Sequence, residues 1–136
     1  MNTEPTDYFY LFIDDDKFTN HINEKMINRV IDRPHYAIFH NPVEALMFLK
    51  DFDTSPNRQI ILFLDLEIPL INGLDILKLL HKDEDMSQMH IKTYILSSYD
   101  KLFYEDHFSS FKNVKGYINK PLSIEEIKNI VENIAA

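Results

Sequence analysis

The sequence predicts an α/β fold, a doubly wound sheet of five parallel strands with helices on both faces. Five short apolar runs alternate with segments whose apolar residues recur at helical spacing. This alternation is typical of parallel strands joined by right-handed helical crossovers. The clearest run, IILFLD at residues 60–65, is apolar without interruption until its final carboxylate, as expected of a strand buried on both faces. Pro69 and Gly73 then stop the strand and turn the chain into a helix.

The first half of the chain contains two of the predicted strand–helix pairs. Residues 8–13 form an aromatic and aliphatic run that predicts a strand. An amphipathic helix ended by Pro34 follows, with an apolar face predicted from Phe18, Ile22, Met26, Ile27 and Val30. Residues 35–39 are a short strand candidate, and Asn41-Pro42-Val43-Glu44 is a favourable helix start with asparagine as the N-cap. The apolar face expected for this second helix is Val43, Leu46, Met47 and Leu49.

The second half begins with a polar segment, residues 53–59, which predicts a loop before the central strand. The helix after that strand has a predicted apolar face of Leu74, Ile76, Leu77, Leu79 and Leu80. Residues 82–88 are charged and predict a loop, and residues 91–96 predict the fourth strand. Residues 101–111 are interpreted as a short helix whose aromatic residues enter the core, namely Phe103, Tyr104, Phe108 and Phe111. A last strand is expected at 114–118, and Ser123-Ile124-Glu125-Glu126 is a capping box that opens the final helix.

Length and composition limit the class of protein. A chain of 136 residues fits one domain, predicted over residues 1–136. The net charge of −8 argues against a nucleic-acid-binding surface, and the lack of cysteine excludes disulfides and thiolate metal sites. The N-terminus has no basic segment followed by an apolar one, and no apolar run reaches membrane-spanning length. We therefore expect a cytoplasmic location, with neither nucleic acid nor a membrane as partner.

Polar residues follow four of the five predicted strands, and parallel strands bring their carboxyl ends to one edge of a sheet. The residues expected to converge there are Asp14, Asp15, Asp65, Ser97 and Lys120. Two carboxylates about 4 Å apart repel by about 4 kcal/mol at an effective dielectric of about 20. Such a cluster tends to take up a proton, pair with a lysine or bind a cation, and oxygen-only ligands favour Mg²⁺. A metal, a lysine and a hydroxyl can together hold a phosphoryl group, toward which an aspartate is a known nucleophile.

At these residues the sequence resembles the receiver domain of two-component response regulators. Four ordered motifs carry the resemblance, which extends from Tyr8 to the final helix: FIDDD, FLDLEIPLING, ILSSYD and GYINKP. The resemblance implies a flavodoxin-like (βα)5 fold with strand order 2-1-3-4-5. It also implies a signalling module, not an enzyme, that assists its own phosphorylation and dephosphorylation.

The resemblance further implies a role for each site residue. Asp65 would accept a phosphoryl group from a phosphohistidine. Mg²⁺ would be held by Asp15, Asp65 and the backbone carbonyl of Glu67, with Asp14 acting partly through water. Lys120 would contact a phosphoryl oxygen, and its bond to Pro121 would be cis.

A conformational switch is also implied. Ser97 would move to hydrogen-bond the phosphoryl group, and Tyr117 would turn inward as Ser97 leaves. The last strands and helices would then present a changed surface, a shift of population and not a new fold. The partners implied are a histidine kinase or histidine phosphotransfer domain, a downstream protein of unknown identity, and a second copy of the chain contacting the last strands and helices.

Three positions depart from the commonest pattern of the family. Ser97 replaces the more usual threonine and keeps the hydroxyl. Glu67 and Tyr99 lie two residues beyond Asp65 and Ser97 respectively, and we expect both side chains to overhang the site. The hypothesis is that they alter the access of water and hence the lifetime of the aspartyl phosphate. Unchanged phosphate-release rates in Glu67→Asn and Tyr99→Ala would refute it.

Two other functions remain open at this point. One is an aspartate-nucleophile phosphatase, in which the second acid of a DxD motif would correspond to Glu67; the chain has no room for a cap domain over the substrate. The other is a receiver that never takes phosphate and serves as a scaffold. The complete set of acceptor, acid pair, hydroxyl and lysine counts against this second alternative.

Overall fold

The computed structural model of the protein describes residues 7–52, 58–68, 73–82 and 90–134. Five parallel strands form one sheet, with spatial order β2-β1-β3-β4-β5, which confirms the predicted topology. The strands are β1 (Asp7–Ile13), β2 (His35–Phe39), β3 (Arg58–Asp65), β4 (His90–Ser97) and β5 (Val114–Asn119). In the described residues the predicted loop at 53–59 is wrong in its last two positions, because Arg58 and Gln59 already pair with Asp7 and Tyr8 of β1.

Five α-helices occur in the described part of the chain. They are α1 (Lys17–Val30), α2 (Pro42–Lys50), α3 (Gly73–Lys82), α4 (Glu105–Phe108) and α5 (Ile124–Ile134). The N-cap of α2 is Asn41, whose side chain accepts a hydrogen bond from the Val43 amide. The capping box of α5 is confirmed by reciprocal bonds between Ser123 and Glu126. Lys82 ends α3, so the charged loop predicted at 82–88 otherwise lies outside the described residues.

Helices cover both faces of the sheet, as predicted. Side chains alternate along the central strands, so that Leu62 faces one apolar cluster and Phe63 faces the other. The first cluster receives residues of α2, α3 and α4, and the second receives residues of α1 and α5. The core therefore lies in two layers, one on each face of the sheet. No helix in the described ranges has the length and apolar character needed to cross a membrane.

The predicted apolar face of α1 is wrong in its first turns. Phe18 is 71% exposed and Ile22 also faces solvent, whereas Asn20 and Asn23 are buried. Only three residues separate the end of β1 from the start of α1, so a polar side chain on α1 can reach the backbone there. The side-chain amide of Asn20 donates to the Asp14 backbone oxygen at 2.8 Å. The rotation of the helix is therefore set by this polar contact as well as by burial of apolar side chains.

The predicted faces of α2 and α3 are also partly wrong. Met47 is 63% exposed, and Val43 and Leu79 likewise face solvent. In α2 the buried positions include Ala45 and Leu49, and Phe48 packs against neighbouring aromatic rings. Packing of these rings turns the helix so that Val43 and Met47 point away from the sheet.

The aromatic segment at 101–111 forms two short pieces instead of one helix. A 3₁₀ turn covers Lys101–Phe103, and the four-residue α4 follows it. Tyr104 and Phe108 are buried as predicted, but Phe103 is 79% exposed, which contradicts its predicted place in the core. The Asp100 side chain caps the 3₁₀ turn through the Leu102 amide, and this local turn directs Phe103 outward.

Candidate functional site

The carboxyl edge of the sheet brings together the polar residues that follow the strands. The residues at these strand ends are Asp14, Asp15, Asp65, Ser97 and Lys120. Backbone hydrogen bonds continue past the strands and hold the ends in register: the Lys120 amide donates to the Ser97 carbonyl at 2.9 Å. The Leu66 amide likewise donates to the Leu96 carbonyl at 2.9 Å. The predicted convergence is therefore built on a continuous backbone ladder.

Three carboxylates form an acidic cluster at this edge. Asp14, Asp15 and Asp65 each offer an oxygen, and these oxygens all lie within 4.8 Å of one another. Asp14 and Asp65 are 3% and 1% exposed, whereas Asp15 is exposed to solvent. The Asp16 amide donates to Asp14 Oδ1 at 2.9 Å and orients that carboxylate. The acidic cluster is therefore buried at Asp14 and Asp65 and open to solvent at Asp15.

Lys120 neutralises part of this charge. Its Nζ lies 2.8 Å from Asp65 Oδ1 and 3.4 Å from Asp14 Oδ2, and the Lys120-Pro121 bond is cis. Burial by itself would lower the pKa of Lys120, but the hydrogen bond to Asp65 and the charges of Asp14 and Asp65 outweigh burial and raise it. The lysine is therefore charged and bridges the two buried acids.

The surroundings of Asp14 raise the pKa of its carboxyl group. Burial raises the pKa of Asp14 to about 6, the hydrogen bond from the Asp16 amide opposes this shift, and the charge of Asp65 adds to it. At neutral pH the ionised Asp14 carboxylate therefore lowers the stability of the folded protein, because it is buried and lies near the charge of Asp65. Without a bound cation, Lys120 offsets only part of this loss.

We expect Asp14→Asn to stabilise the metal-free protein at about pH 8 by about 1–2 kcal/mol, since it removes a charge whose pKa burial raises to about 6 but also removes the contact of that charge with Lys120. The direction of the pH dependence follows from the raised pKa. The Asp14 carboxyl group contributes its full stabilisation at pH values below its ordinary pKa of 3.8, and this contribution is lost as the pH rises through about 6. The difference between variant and wild type should therefore shrink as pH falls toward about 4.

Urea unfolding in EDTA across this pH range measures the effect. Asp106→Asn, at an exposed position on α4, is the control for loss of one negative charge. A stability difference for Asp14→Asn that stays constant from about pH 8 to about pH 4 would contradict the assignment.

The donor set of the cluster fits a hard divalent cation. All the ligand atoms are carboxylate oxygens, and Asp65 Oδ2 is buried and has no hydrogen-bond partner among the described residues. An orphaned buried carboxylate oxygen is costly unless a cation or another donor satisfies it. Oxygen-only coordination favours Mg²⁺. The side chain of Glu67 does not belong to this cluster; its predicted role was through the backbone carbonyl.

The Glu67 carboxylate instead lies against the end of β4. The Ser97 hydroxyl donates to Glu67 Oε1 at 2.5 Å, and the Ser98 amide donates to the same oxygen at 3.2 Å. The Ser98 hydroxyl donates to Oε2 at 3.3 Å. Sequence reasoning placed Glu67 over the site but missed Ser98 as its partner. The adjacent hydroxyls in ILSSYD were the available signal, whereas the direction of the Glu67 side chain was not readable from the sequence.

Tyr117, the predicted switch residue, is half-buried on β5. Its ring packs against Tyr104 at 5.7 Å and Phe108 at 6.4 Å between centroids, and its hydroxyl donates to the Glu105 carbonyl at 3.4 Å. Burial raises the pKa of Tyr117. Tyr99, the other residue expected over the site, is exposed. The side chain of Tyr117 therefore packs against α4, on the surface predicted to change.

Comparison with known proteins gives both a family match and similar solved structures. The family model for the response regulator receiver domain matches residues 10–132. A two-component response regulator from Legionella pneumophila has a similar structure, with a TM-score of 0.77 and 21% identity, over 93% of this chain and 97% of that one. The chemotaxis protein CheY4 of Vibrio cholerae aligns with a TM-score of 0.75 and 12% identity, over 94% of this chain and 98% of that one.

The receiver domain of the Francisella response regulator 1452 is similar as well, with a TM-score of 0.71 and 21% identity, over 93% of this chain and 95% of that one. These likenesses show the fold. No curated protein sequence matches the chain at a significant level. The family model covers most of the chain, including every strand-end residue of the site. The chain therefore belongs to the response regulator receiver domain family of two-component signalling.

Proposed function

We propose that the protein takes a phosphoryl group on Asp65 from the phosphohistidine of a histidine kinase or histidine phosphotransfer domain, and that this changes its partner-binding surface. The observation that carries the proposal is the state of Asp65 itself. Its carboxylate is buried at the strand end, with Oδ1 bound by Lys120, and in the described part of the chain Oδ2 has no hydrogen-bond partner and lies among acids. A nucleophile needs such an available oxygen held beside a positive charge.

In the transfer, a bond forms between an Asp65 oxygen and phosphorus as the donor's N–P bond breaks and its electron pair returns to the imidazole ring. Lys120 lies close enough to Asp65 to meet a phosphoryl oxygen and to offset the added charge. Ser97, at the end of β4, would donate a hydrogen bond from its hydroxyl group to another phosphoryl oxygen. These residues position and stabilise the phosphoryl group, which is the main requirement for phosphoryl transfer.

Mg²⁺ would be held by Asp15, Asp65 and the backbone carbonyl of Glu67, with Asp14 acting partly through water. When bound, it supplies charge neutralisation for the phosphoryl oxygens. The burial of Asp14 and Asp65 close together favours binding of this cation, because the two carboxylates repel each other. Lys120 offsets only part of that repulsion.

The output would follow from the movement of Ser97 toward the phosphoryl group and the inward turn of Tyr117. Tyr117 already packs against α4, so its movement would alter the surface formed by the last strands and helices. A downstream protein or a second copy of the chain would recognise that surface. The single-domain extent over residues 1–136 and the cytoplasmic location remain part of this proposal.

The test is incubation with acetyl phosphate and Mg²⁺, followed by intact mass measurement. We expect an adduct of about 80 Da, the mass of one phosphoryl group, in the wild type and none in Asp65→Asn. Asp106→Asn, on exposed α4, is the matched control and should be phosphorylated like the wild type. An adduct that persists in Asp65→Asn, or that forms equally in EDTA, would overturn the acceptor or its metal dependence.

The same experiment separates the two other functions. Repeated turnover of a small phosphate ester, instead of one phosphoryl group per chain, would indicate an aspartate-nucleophile phosphatase. Absence of any adduct with acetyl phosphate and with a phosphohistidine donor would indicate a scaffold receiver. The paired Asp65 and Lys120 favour the phosphorylated receiver over both.

A further inference from the structure

The site contains an anion of its own, the Glu67 carboxylate, beside the Ser97 hydroxyl to which the proposed function assigns a phosphoryl oxygen. The Glu67 carboxylate accepts hydrogen bonds from the Ser97 hydroxyl, the Ser98 amide and the Ser98 hydroxyl. Glu67 and Ser97 are 30 positions apart in the chain, so this contact joins the ends of two neighbouring strands. Its two carboxylate oxygens thus engage three donors at the end of β4.

The hydrogen-bonding capacity of Ser97 makes this contact exclusive. A serine hydroxyl has one proton to donate. That proton points to Glu67 Oε1 at 2.5 Å, and the same hydroxyl oxygen accepts from the Tyr99 amide at 3.0 Å. Ser97 is fully buried, so water cannot take over these bonds. While Glu67 stays in place, Ser97 has no proton left for a phosphoryl oxygen.

We propose that Glu67 is an internal latch that occupies the phosphoryl-binding donors of Ser97 and Ser98 and must be displaced before the phosphoryl group can bind them. The inference rests on the proposed function, because it assumes that a phosphoryl group on Asp65 engages Ser97. Glu67 is only half-buried, so its side chain can swing into solvent without crossing the core. The latch holds the unphosphorylated state and lowers the affinity of the site for phosphoryl-like anions.

A latch and simple charge repulsion make different predictions. Repulsion between Glu67 and an incoming phosphoryl group depends on charge and not on Ser97. A latch depends on the hydrogen bonds that Glu67 accepts, and therefore in part on the Ser97 hydroxyl. Charge-assisted hydrogen bonds are about twice as strong as neutral ones, so their loss should be measurable as a change in anion affinity.

Beryllofluoride with Mg²⁺, a phosphoryl-like anion, is the probe, and its apparent Kd is measured by tyrosine fluorescence. We expect Glu67→Ala to bind it about tenfold more tightly than the wild type, since the competing carboxylate is gone. In the Ser97→Ala background the same Glu67→Ala substitution should give a clearly smaller gain, because the Ser97 hydroxyl for which Glu67 and the anion compete is absent and only the Ser98 donors remain. An equal gain in both backgrounds would show repulsion and overturn the latch, as would no gain in either.

Glu67→Asp gives an independent test, because it keeps the charge and shortens the side chain by one methylene. Amide resonances of the metal-free protein report the contact directly: those of Ser98 and Tyr99 should move in both Glu67→Asp and Glu67→Ala. Resonances that stay at wild-type positions in Glu67→Ala would overturn the latch without any reference to phosphorylation.

Asp65→Asn shows whether beryllofluoride binding depends on the acceptor. A wild type that binds no beryllofluoride would overturn the proposed function, and the latch with it.

Discussion

Lys120→Met is expected to destabilise the metal-free protein by about 2–4 kcal/mol and to slow phosphorylation by acetyl phosphate by about 10²–10³-fold. The first effect arises because Lys120 bridges two buried acids, at 2.8 Å from Asp65 and 3.4 Å from Asp14. Methionine keeps most of the side-chain volume and leaves those carboxylates without their cation. The second effect arises because the positive side chain that contacts the acceptor is lost.

Mg²⁺ should restore much of the lost stability of Lys120→Met, because a divalent cation in the acidic cluster replaces the missing charge. It should restore much less of the phosphorylation rate, which needs the lysine on the phosphoryl oxygens. Urea unfolding in EDTA and in Mg²⁺ measures the first effect, and adduct formation over time measures the second. Lys128→Met, at an exposed position on α5, is the control for loss of one positive charge. A Lys120→Met protein as stable as wild type in EDTA would contradict the bridging role.

Phe63→Ala is expected to lower the free energy of unfolding by about 3–5 kcal/mol. Phe63 lies on the central strand two residues before Asp65 and is buried. Its ring stacks on Phe12 with centroids 4.7 Å apart and an interplanar angle of 9°, and it lies 5.9 Å from the Tyr94 ring. Truncation to alanine leaves a cavity between this face of the sheet and the helices that cover it, and the surrounding side chains close it only in part.

Phe103→Ala is the matched control, since the same atoms are removed from a side chain that is 79% exposed. It should change stability by no more than about 0.5 kcal/mol. Phe63→Leu should fall between the two variants, because leucine fills part of the space. Equal losses for Phe63→Ala and Phe103→Ala in chemical denaturation would show that the stacked rings do not carry the expected packing energy.

Much of the fold could be predicted because its signals are local. An apolar run that ends in a carboxylate identifies a buried strand and its end, as at Asp65, without knowledge of its neighbours. The caps at Asn41 and Ser123 were predictable for the same reason, since each hydrogen bond joins residues two or three positions apart. The strand order came from the family resemblance, not from the residues alone.

The rotation of the helices was less predictable, because a helical period shows that a face exists without showing where the sheet lies. Phe18 and Asn20 illustrate this in α1: the apolar residue is exposed and the amide is buried on the backbone of Asp14. In α2, Met47 fits the apolar pattern but lies outside, since the ring of Phe48 packs with its aromatic neighbours. Propensity and periodicity do not determine which side of a helix faces the sheet where one such contact contributes more free energy than the burial of an average apolar side chain.

The sequence by itself determined which polar residues follow the strands, and therefore that Asp14, Asp65 and Lys120 belong to one edge. Only the tertiary structure decided how they are used: which oxygens Lys120 bridges, that burial raises the pKa of Asp14, and that Glu67 turns to Ser97. The physical reason is the range of the interactions. Strand formation and capping depend on neighbours in the chain, whereas desolvation and side-chain hydrogen bonds across the sheet depend on residues brought together from different strands.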